Sequence, residues 1–514
     1  MNYHDEKRTV SRGAVYSIAG YAAGALLGGI SGAIMMRLFG QSDAGLWIFG
    51  LSIITLFEPF ARCGLTEGVQ RFVAVQADKR DWPAVKGTII GSVQIGLAAS
   101  VMVVALLWFI APELADFFTR NTEHADHVAR VATVIRVYAF YLIPMVLFTI
   151  MLAAHRALKN IMANFYLESL FVRLAWIALI LVIGLTPLAG DKIVILITCS
   201  IGSVAIAAII AAISFRRVIP QIFTVSPVFA RQALLLFSLP LIFQNIVLIL
   251  MKQVDKLMLK YFYSFDDIAV YNWATVIAIQ AGLMLNAFAS LFSPMIAAVY
   301  HRGDLRGLQH LYQTVTRWVL ITSLPIIGRI LLVPDLALQW FNITPSSTAC
   351  ATVIILTLGQ LVSISVGHSG YMLIMSGHTK MTLANNSVAL VINICLNWIL
   401  IPRFGLPGAA VATLIAIAIR NVLSMLQVKI LLHASPFSVR SIRTVVFTLC
   451  AMIAVFAFRW FVPEIYWLTE LIACAVIFGA VYLPLMWFGM DREDKQFISS
   501  ILSTKQHTGG ISPR

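Results

Sequence analysis

Runs of apolar residues about twenty long recur from one end of this chain to the other, and they limit its fold more than any other feature. A helix rises ~1.5 Å per residue, so ~20 residues cross a ~30 Å hydrocarbon core. Cut at charged or Pro/Gly-rich breaks, the sequence gives fourteen candidate spans. They are 14–36, 44–62, 87–111, 129–154, 163–186, 192–214, 233–259, 268–294, 316–334, 351–375, 382–401, 408–431, 442–462 and 468–489. The expectation is an all-α polytopic membrane protein. A content of 60% apolar and 12% charged residues, with mean hydropathy +0.88, excludes a soluble fold for 514 residues. A transmembrane β-barrel is excluded as well, because the runs are continuous rather than alternating and exceed a tilted strand in length.

MNYHDEKRTVSRG leads directly into the first span with no short apolar core and small-residue cleavage site, so this span reads as an uncleaved helix. With the N-terminus inside, lysine and arginine concentrate in the tails and inner loops, such as FRRV at 215–218 and HRGDLR at 301–306. Few lie on the outer side: Arg37, Arg120, Arg130, Lys192, Lys252, Lys256, Lys260 and Arg403. This asymmetry follows the positive-inside rule. The net charge of +14 is therefore a topology signal, and no nucleic-acid partner is expected. Both termini should be cytoplasmic. The cysteines form no CxxC, and His155, His368 and His378 have no ligand spacing, so neither a metal nor a cofactor is expected.

The chain repeats itself. MLAAHRALKNIMAN at 151–164 aligns without gaps on MLIMSGHTKMTLAN at 372–385, with identities Met151/Met372, Leu152/Leu373, Lys159/Lys380, Ala163/Ala384 and Asn164/Asn385. RLFGQSDAGLW at 37–47 resembles KYFYSFDDIAVY at 260–271 at nearly the same offset. The offset is six spans, an even number, so the repeat is parallel. It implies two six-helix lobes, 14–231 and 232–432. A 1–13 tail, two extra spans in 433–490 and a 491–514 tail flank them.

RLFGQSDAGLWIFGLSIITLF and GLTEGVQRFVA in the first lobe resemble the polysaccharide and oligosaccharide-lipid flippases of the multidrug/oligosaccharidyl-lipid/polysaccharide exporter superfamily. FSLPLIFQNIVLILMKQVDKLMLKYFYSFDDIAVYNWA, SPMIAAVYHRGDLRGLQHLY and NICLNWILIPRFGLPGAAVAT continue the resemblance to about residue 432. The resemblance implies a V-shaped bundle of two six-helix lobes around a central cavity, in a bacterial cytoplasmic membrane. By alternating access they would carry an undecaprenyl-diphosphate-linked glycan to the outer leaflet, where a glycan polymerase or export machinery would receive it. The multidrug branch and the peptidoglycan-precursor branch share the fold, so the fold alone leaves the cargo open. A membrane-bound glycan polymerase or ligase is the remaining alternative, and the short outer loops tell against it. The sequence holds no GxxxxGK[ST], HExxH or GxSxG motif, so the expectation is a transporter rather than an enzyme.

Charges inside spans carry the functional reading, because each is costly in hydrocarbon. Arg420 and Arg173 sit near mid-depth in spans 12 and 5, Arg136 lies toward the outer end of span 4, and Arg329 stands near Pro325 and Gly328. An arginine fork matches the phosphate oxygens of a lipid diphosphate, although bonds to carbonyls within the bundle would serve each arginine too. Glu58 and Arg62 are spaced to neutralise one another, and Glu168 and Arg173 are spaced to miss. These two acids read as structural or coupling groups. Lys252, Lys256 and Lys260 form a stripe at the outer end of span 7 with Asp255 beside it. The stripe reads either as a guide for the diphosphate or as interface snorkelling. Arg459, one turn from the outer surface, reads as snorkelling. Gln244, Asn245, Gln280, Asn286, Asn385, Asn386, Asn393 and Asn397 offer bonds to sugar hydroxyls or between helices.

Single cysteines at Thr122, Pro345 and Tyr466, in a background without native cysteines, should react with an impermeant thiol reagent on intact cells. Cysteines at Asp78, Gly303 and Ser438 should react only after permeabilisation. Labelling of Gly303→Cys from outside would reverse the orientation.

Overall fold

The computed structural model describes residues 3–119, 125–158, 160, 165–187, 190–218, 224–437, 439–462 and 467–489. Arg120, the repeat residues Lys159, Ala163 and Asn164, the labelling positions Thr122, Ser438 and Tyr466, and the C-tail lie outside them.

All regular structure among the described residues is helical. The first helix, α1 (Tyr3–Arg62), carries the first two spans. Its 60 residues would make a rod of ~90 Å, about three times the hydrocarbon thickness. It is interrupted at Gly40, whose φ of 80° and ψ of 176° suit glycine and exclude other residues. After α2 (Leu65–Asp78) come α3 (Trp82–Thr119) for span 3, and α4 (Ala125–Ala139) with α5 (Leu142–Ala157) for span 4. Span 5 opens as a π-helix, Phe165–Phe171, and continues as α6 (Val172–Leu185); α7 (Lys192–Val218) is span 6. Span 7 is α8 (Arg231–Phe262). Span 8 is a pair, α9 (Phe265–Gln280) and α10 (Leu283–His301), bent by 53° between them. Span 9 is α11 (Leu305–Leu332), followed by the short α12 (Pro334–Trp340). Spans 10 to 12 are built from α13 (Ser347–Val366), the short α14 (Ser369–Met375), α15 (Thr379–Phe404) and α16 (Leu406–Leu432). The last two spans are α17 (Val439–Phe461) and α18 (Trp467–Gly489). With α1 taken as two spans and the bent pair as one, the crossings number fourteen.

Local chemistry sets several of these boundaries. Ser264 and Asp267 form a reciprocal capping box at the start of α9, and Asp304 accepts a bond from the Gly307 amide at the start of α11. Proline sits in the first turn of α12 and of α16, where a missing amide hydrogen costs nothing.

Helices α1 to α7 pack chiefly on one another, and so do α8 to α16, while α17 and α18 pair with each other and lean on α11 and α12. The two sets meet where α1, α2 and α3 run against α8 and α9. Contact there is close because small residues admit it. A Cβ on Gly45 would fall 1.9 Å from the Phe265 carbonyl oxygen, and one on Gly64 would fall 2.2 Å from that of Ser238. Aromatic rings fill the rest of the seam. Phe49 meets Phe118 and Phe265, and Phe117 meets Tyr261, which stacks on Trp398.

Two ion clusters tie helix ends, one within the first set and one between the last pair and α12. Arg130 bonds Asp43 at 2.8 Å and Asp191 at 2.5 Å. Arg459 bonds Asp335 at 2.7 Å and Glu470 at 2.8 Å, and donates to the Leu332 carbonyl at 3.0 Å. It does not snorkel alone, because α12 and α18 each bring it a carboxylate.

Bonding to Arg130 holds the Asp191 carboxyl below its ordinary value of 3.8. A depressed folded-state value adds stability that is present above the unfolded value and lost as pH falls through the folded one. Arg130→Gln should therefore lower the melting temperature of the detergent-purified protein at neutral pH, and the deficit should shrink once Asp191 is protonated. A deficit of equal size at both pH values would assign the loss to packing instead.

Candidate functional site: a cationic cavity

A cavity of about 650 Å³ lies among α1, α4 to α7 and the facing sides of α8 and α9. Arg62, Arg156, Arg173 and Lys256 border it, and among the described residues Glu168 is the acid in its wall. Arg62, at the end of α1, forms an ion pair with buried Glu58 one turn earlier, and its own Nε is buried without a hydrogen-bond partner. Arg156, in the last turn of α5, is 4.0 Å from Glu168.

Arg173 is held differently. Gly24 and Gly28 are four residues apart on α1, so they stack on one face of that helix. The Arg173 side chain lies over this face: a Cβ on Gly28 would be 3.1 Å from Nη1, and one on Gly24 would be 3.3 Å from Nε. Among the described residues no hydrogen bond or ion pair engages its guanidinium, and the side chain is exposed to the cavity it lines. Lys256 Nζ donates to Asn272 Oδ1 at 3.3 Å from the opposite wall. Trp47 and Trp176 stack at 5.0 Å beside these groups. The arrangement concentrates positive charge in a partly dehydrated space, where an anion with several oxygens is bound far more strongly than in water.

The other residues singled out in the sequence fall elsewhere. The lysine stripe splits: Lys256 lines the cavity, Lys252 is exposed, and Lys260 is buried with its ammonium 4.3 Å from the Phe265 ring centre. Asp255 does not hold Lys252. It is buried and accepts bonds from Tyr271 Oη at 2.9 Å, Thr413 Oγ1 at 2.6 Å and Asn397 Nδ2 at 2.7 Å. Asn397 also donates to Asn393 at 3.1 Å, and its own Oδ1 is buried without a partner. Asn385 bonds Ser424 and Gln427, so three of the eight amides serve contacts between helices or turns of the second set. Arg136 lies over the Trp108 ring and donates to its carbonyl at 3.2 Å. Arg420, half-buried on α16, lies outside the cavity wall and has no hydrogen bond or ion pair among the described residues.

Arg329 borders a second space of about 1140 Å³ on the far side of α1, between α9 to α12 and α18. This groove is apolar, with Arg329 its one charged group among the described residues. Val276 borders both spaces, and Trp273 of the cavity stacks on Phe341 of the groove at 4.7 Å. No group of three or more His, Cys, Asp or Glu among the described residues is arranged to hold a metal ion. Sequence reasoning placed Arg62 only in its pair with Glu58 and passed over Arg156, because a basic residue at an inner span end also satisfies the positive-inside rule. The groove had no signal in the sequence at all.

The family model described as polysaccharide biosynthesis protein matches residues 10–299, more than half of the chain. The chain belongs to the polysaccharide biosynthesis protein family. With it, the chain belongs to the multidrug/oligosaccharidyl-lipid/polysaccharide exporter superfamily. A second model, MatE, matches residues 240–399. No curated protein matches the chain by sequence. Among solved structures, this family member is similar to the lipid II flippase MurJ in an inward-closed conformation. The TM-score is 0.70 at 15% identity, covering 96% of this chain and 99% of that one. It is also similar to an inward-facing multidrug resistance MATE transporter, with TM-score 0.62, 15% identity, and coverage of 80% and 98%. A superfamily transporter from Pyrococcus furiosus, described by a binding pocket of reverse polarity, aligns with TM-score 0.55 at 13% identity over 83% and 96%. At such identities the likeness establishes the fold.

If the glycine face of α1 positions Arg173, Gly28→Val should displace the guanidinium. The purified protein should then bind inorganic diphosphate roughly ten- to a hundredfold more weakly, as loss of one charge-assisted contact of ~1.5–3 kcal/mol requires. Gly202→Val, where an added Cβ meets no atom within 4 Å, should bind as the parent does. Equal affinities for both variants would remove the glycine face from the account.

Proposed function

We propose that this protein flips a diphosphate-linked glycan lipid, an undecaprenyl-type carrier, from the inner to the outer leaflet of a bacterial cytoplasmic membrane. Both termini would face the cytoplasm. The observation that carries this reading is the gathering of Arg62, Arg156, Arg173 and Lys256 around one cavity, with no ion pair or hydrogen bond on Arg173 among the described residues. A diphosphate meets that excess of charge, and guanidinium forks suit its oxygens. Two acids temper the excess: Glu58 sits on Arg62, and Glu168 is near Arg156. The apolar groove adjoining the cavity at Val276 supports an amphiphilic cargo, with a polar head in one space and an isoprenoid chain in the other. The two lobes, 14–231 and 232–432, would rock about the seam between α1 to α3 and α8 to α9.

A multidrug exporter of the same superfamily would need acidic groups in the cavity to attract cationic drugs, and the charge here has the opposite sign. A peptidoglycan-precursor flippase shares the diphosphate chemistry and differs in the sugar. For coupling, we assign the energy input to Asp255. It is a buried carboxylate that accepts bonds from three neutral donors, and beside it Asn397 Oδ1 lacks a donor, so a small monovalent cation completes the set. Arg420 is assigned to the diphosphate at a later stage of the cycle, because a charge near mid-bilayer costs ~2.5–3.5 kcal/mol on insertion scales unless it is used or paired.

Arg173→Met should insert normally yet fail to restore surface polysaccharide in a strain lacking its own flippase. Arg173→Lys should rescue in part, since it keeps the charge and loses the fork. Arg420→Met should also fail. Full export by a normally abundant Arg173→Met protein would end the diphosphate reading. Full export by Arg420→Met alone would end that residue's share of it.

A further inference from the structure

We propose that Trp176 is the seat of the cargo's first sugar, a hexopyranose that lays an apolar C–H face on the indole while its diphosphate rests on Arg173. This seat presupposes the diphosphate reading above and says where the glycan lies.

Three observations support it. The first is register. Trp176 follows Arg173 by three residues on α6, so their side chains share one face of that helix, and both border the cavity. The step between them is ~4.5 Å along the axis, toward the Leu185 end. A glycan carried on a diphosphate has its first ring bonded directly to the terminal phosphate. That ring therefore lies one glycosidic linkage from the oxygens on Arg173, and Trp176 is the aromatic face within that reach.

The second observation is how the indole is held. Trp176 is half-buried, and Trp47 of α1 backs it at 5.0 Å with 25° between the ring planes. A buried tryptophan ordinarily finds an acceptor for its N–H, yet Trp47 Nε1 is buried without a partner among the described residues. The wall keeps this ring for its face, not for its polar atom. An aromatic face carries negative charge density, and the slightly positive C–H bonds of a pyranose meet it well.

The third is what surrounds the ring. Ser31 on α1 and Ser200 and Ser203 on α7 border the same cavity. Each gives its hydroxyl proton to a carbonyl of its own helix, at 2.9, 2.6 and 2.8 Å respectively. Their oxygens keep the capacity to accept, which is what the hydroxyls on a sugar's edge require. An aromatic face among hydroxyl acceptors is amphipathic as a sugar is, and it suits neither a bare diphosphate nor an isoprenoid chain.

Calorimetric binding of geranyl diphosphate, with and without one galactose on its terminal phosphate, to the purified full-length protein tests the assignment. Galactose turns a run of C–H groups to one side of its ring. The parent should bind the galactosyl form about tenfold more tightly than the bare one. This ratio, taken within each variant, cancels any general loss of affinity. It should fall to about one in Trp176→Leu, be partly kept in Trp176→Phe, and fall also in Trp47→Leu, which removes the backing ring. Arg173→Lys should weaken both forms and keep the ratio. Size-exclusion profiles and helical circular dichroism like the parent's identify the variants that have folded, and Trp47→Leu decides if Trp176→Leu does not fold. A tenfold ratio that persists in the folded leucine variants would overturn the seat. So would a ratio lost equally in Arg173→Lys, which would give the gain to the anion site. A parent that gains nothing from galactose overturns the seat alone, whereas a parent that binds neither form overturns the diphosphate reading and the seat with it.

Discussion

Hydrocarbon offers nothing to a charge, so every cation within these spans must find its partner in the protein or in what the protein binds. Sorted by that constraint, the basic residues fall into three groups. Arg62, Arg130 and Arg459 meet carboxylates brought by neighbouring turns or helices. Arg136 and Lys260 settle on aromatic faces and carbonyls, which suffices near the interface where water shares the task. Arg173, Arg329 and Arg420 have neither among the described residues. The first faces the cavity, the second the groove, and the third lies within the second set of helices. The diphosphate is assigned to Arg173 and Arg420 because the protein itself leaves those charges unanswered.

The seam between the two sets of helices obeys a related economy of charge. It is made from glycine faces, aromatic edges, a neutral hydrogen bond from Ser52 to Gln253 at 3.1 Å, and two arginines on neutral partners, Arg71 over the Phe237 ring and Arg231 on the Gln94 side-chain oxygen. Contacts of this kind part without leaving an ion stranded in a dry interface, which is the large penalty for separating buried ion pairs. The Arg130 cluster ties helices within the first set, and the Arg459 cluster ties α17 and α18 to α12, so neither crosses the seam. Rigid bodies joined by a slippery seam are what an alternating-access carrier requires.

Much of this was legible from the chain alone. Continuous apolar runs gave every span, because the bilayer fixes helix length so tightly. The lysine stripe shows where such reading stops. Residues at i, i+4 and i+8 drift by about 40° per step on a helix of 3.6 residues per turn. Lys252, Lys256 and Lys260 therefore turn progressively around α8 while climbing it, and they reach three different surroundings. A one-dimensional stripe was not a three-dimensional one. Arg156 was hidden for another reason, and Arg62 was read only as the partner of Glu58. Each serves the positive-inside rule as well as the cavity, and only the packing of α1 against α5 and α6 shows that they share a space. The groove needed contact between helices that are hundreds of residues apart, and periodicity within one helix says nothing of that.

The repeat makes span 2 and span 8 counterparts, yet they have not kept the same form. Span 2 runs unbroken to Arg62, while span 8 bends by 53° after Gln280. At the bend the Ala281 and Gly282 amides turn back to the carbonyls of Ala278 and Ile279, and His368 Nε2 lies 2.7 Å from the Leu285 carbonyl just beyond it. One copy of a duplicated element has stayed a strut, and the other has become an elbow braced by a neighbouring loop. Duplication alone would give a carrier equal freedom on both sides. Here the two members of one pair differ in shape, one straight to Arg62 and the other bent by 53° after Gln280.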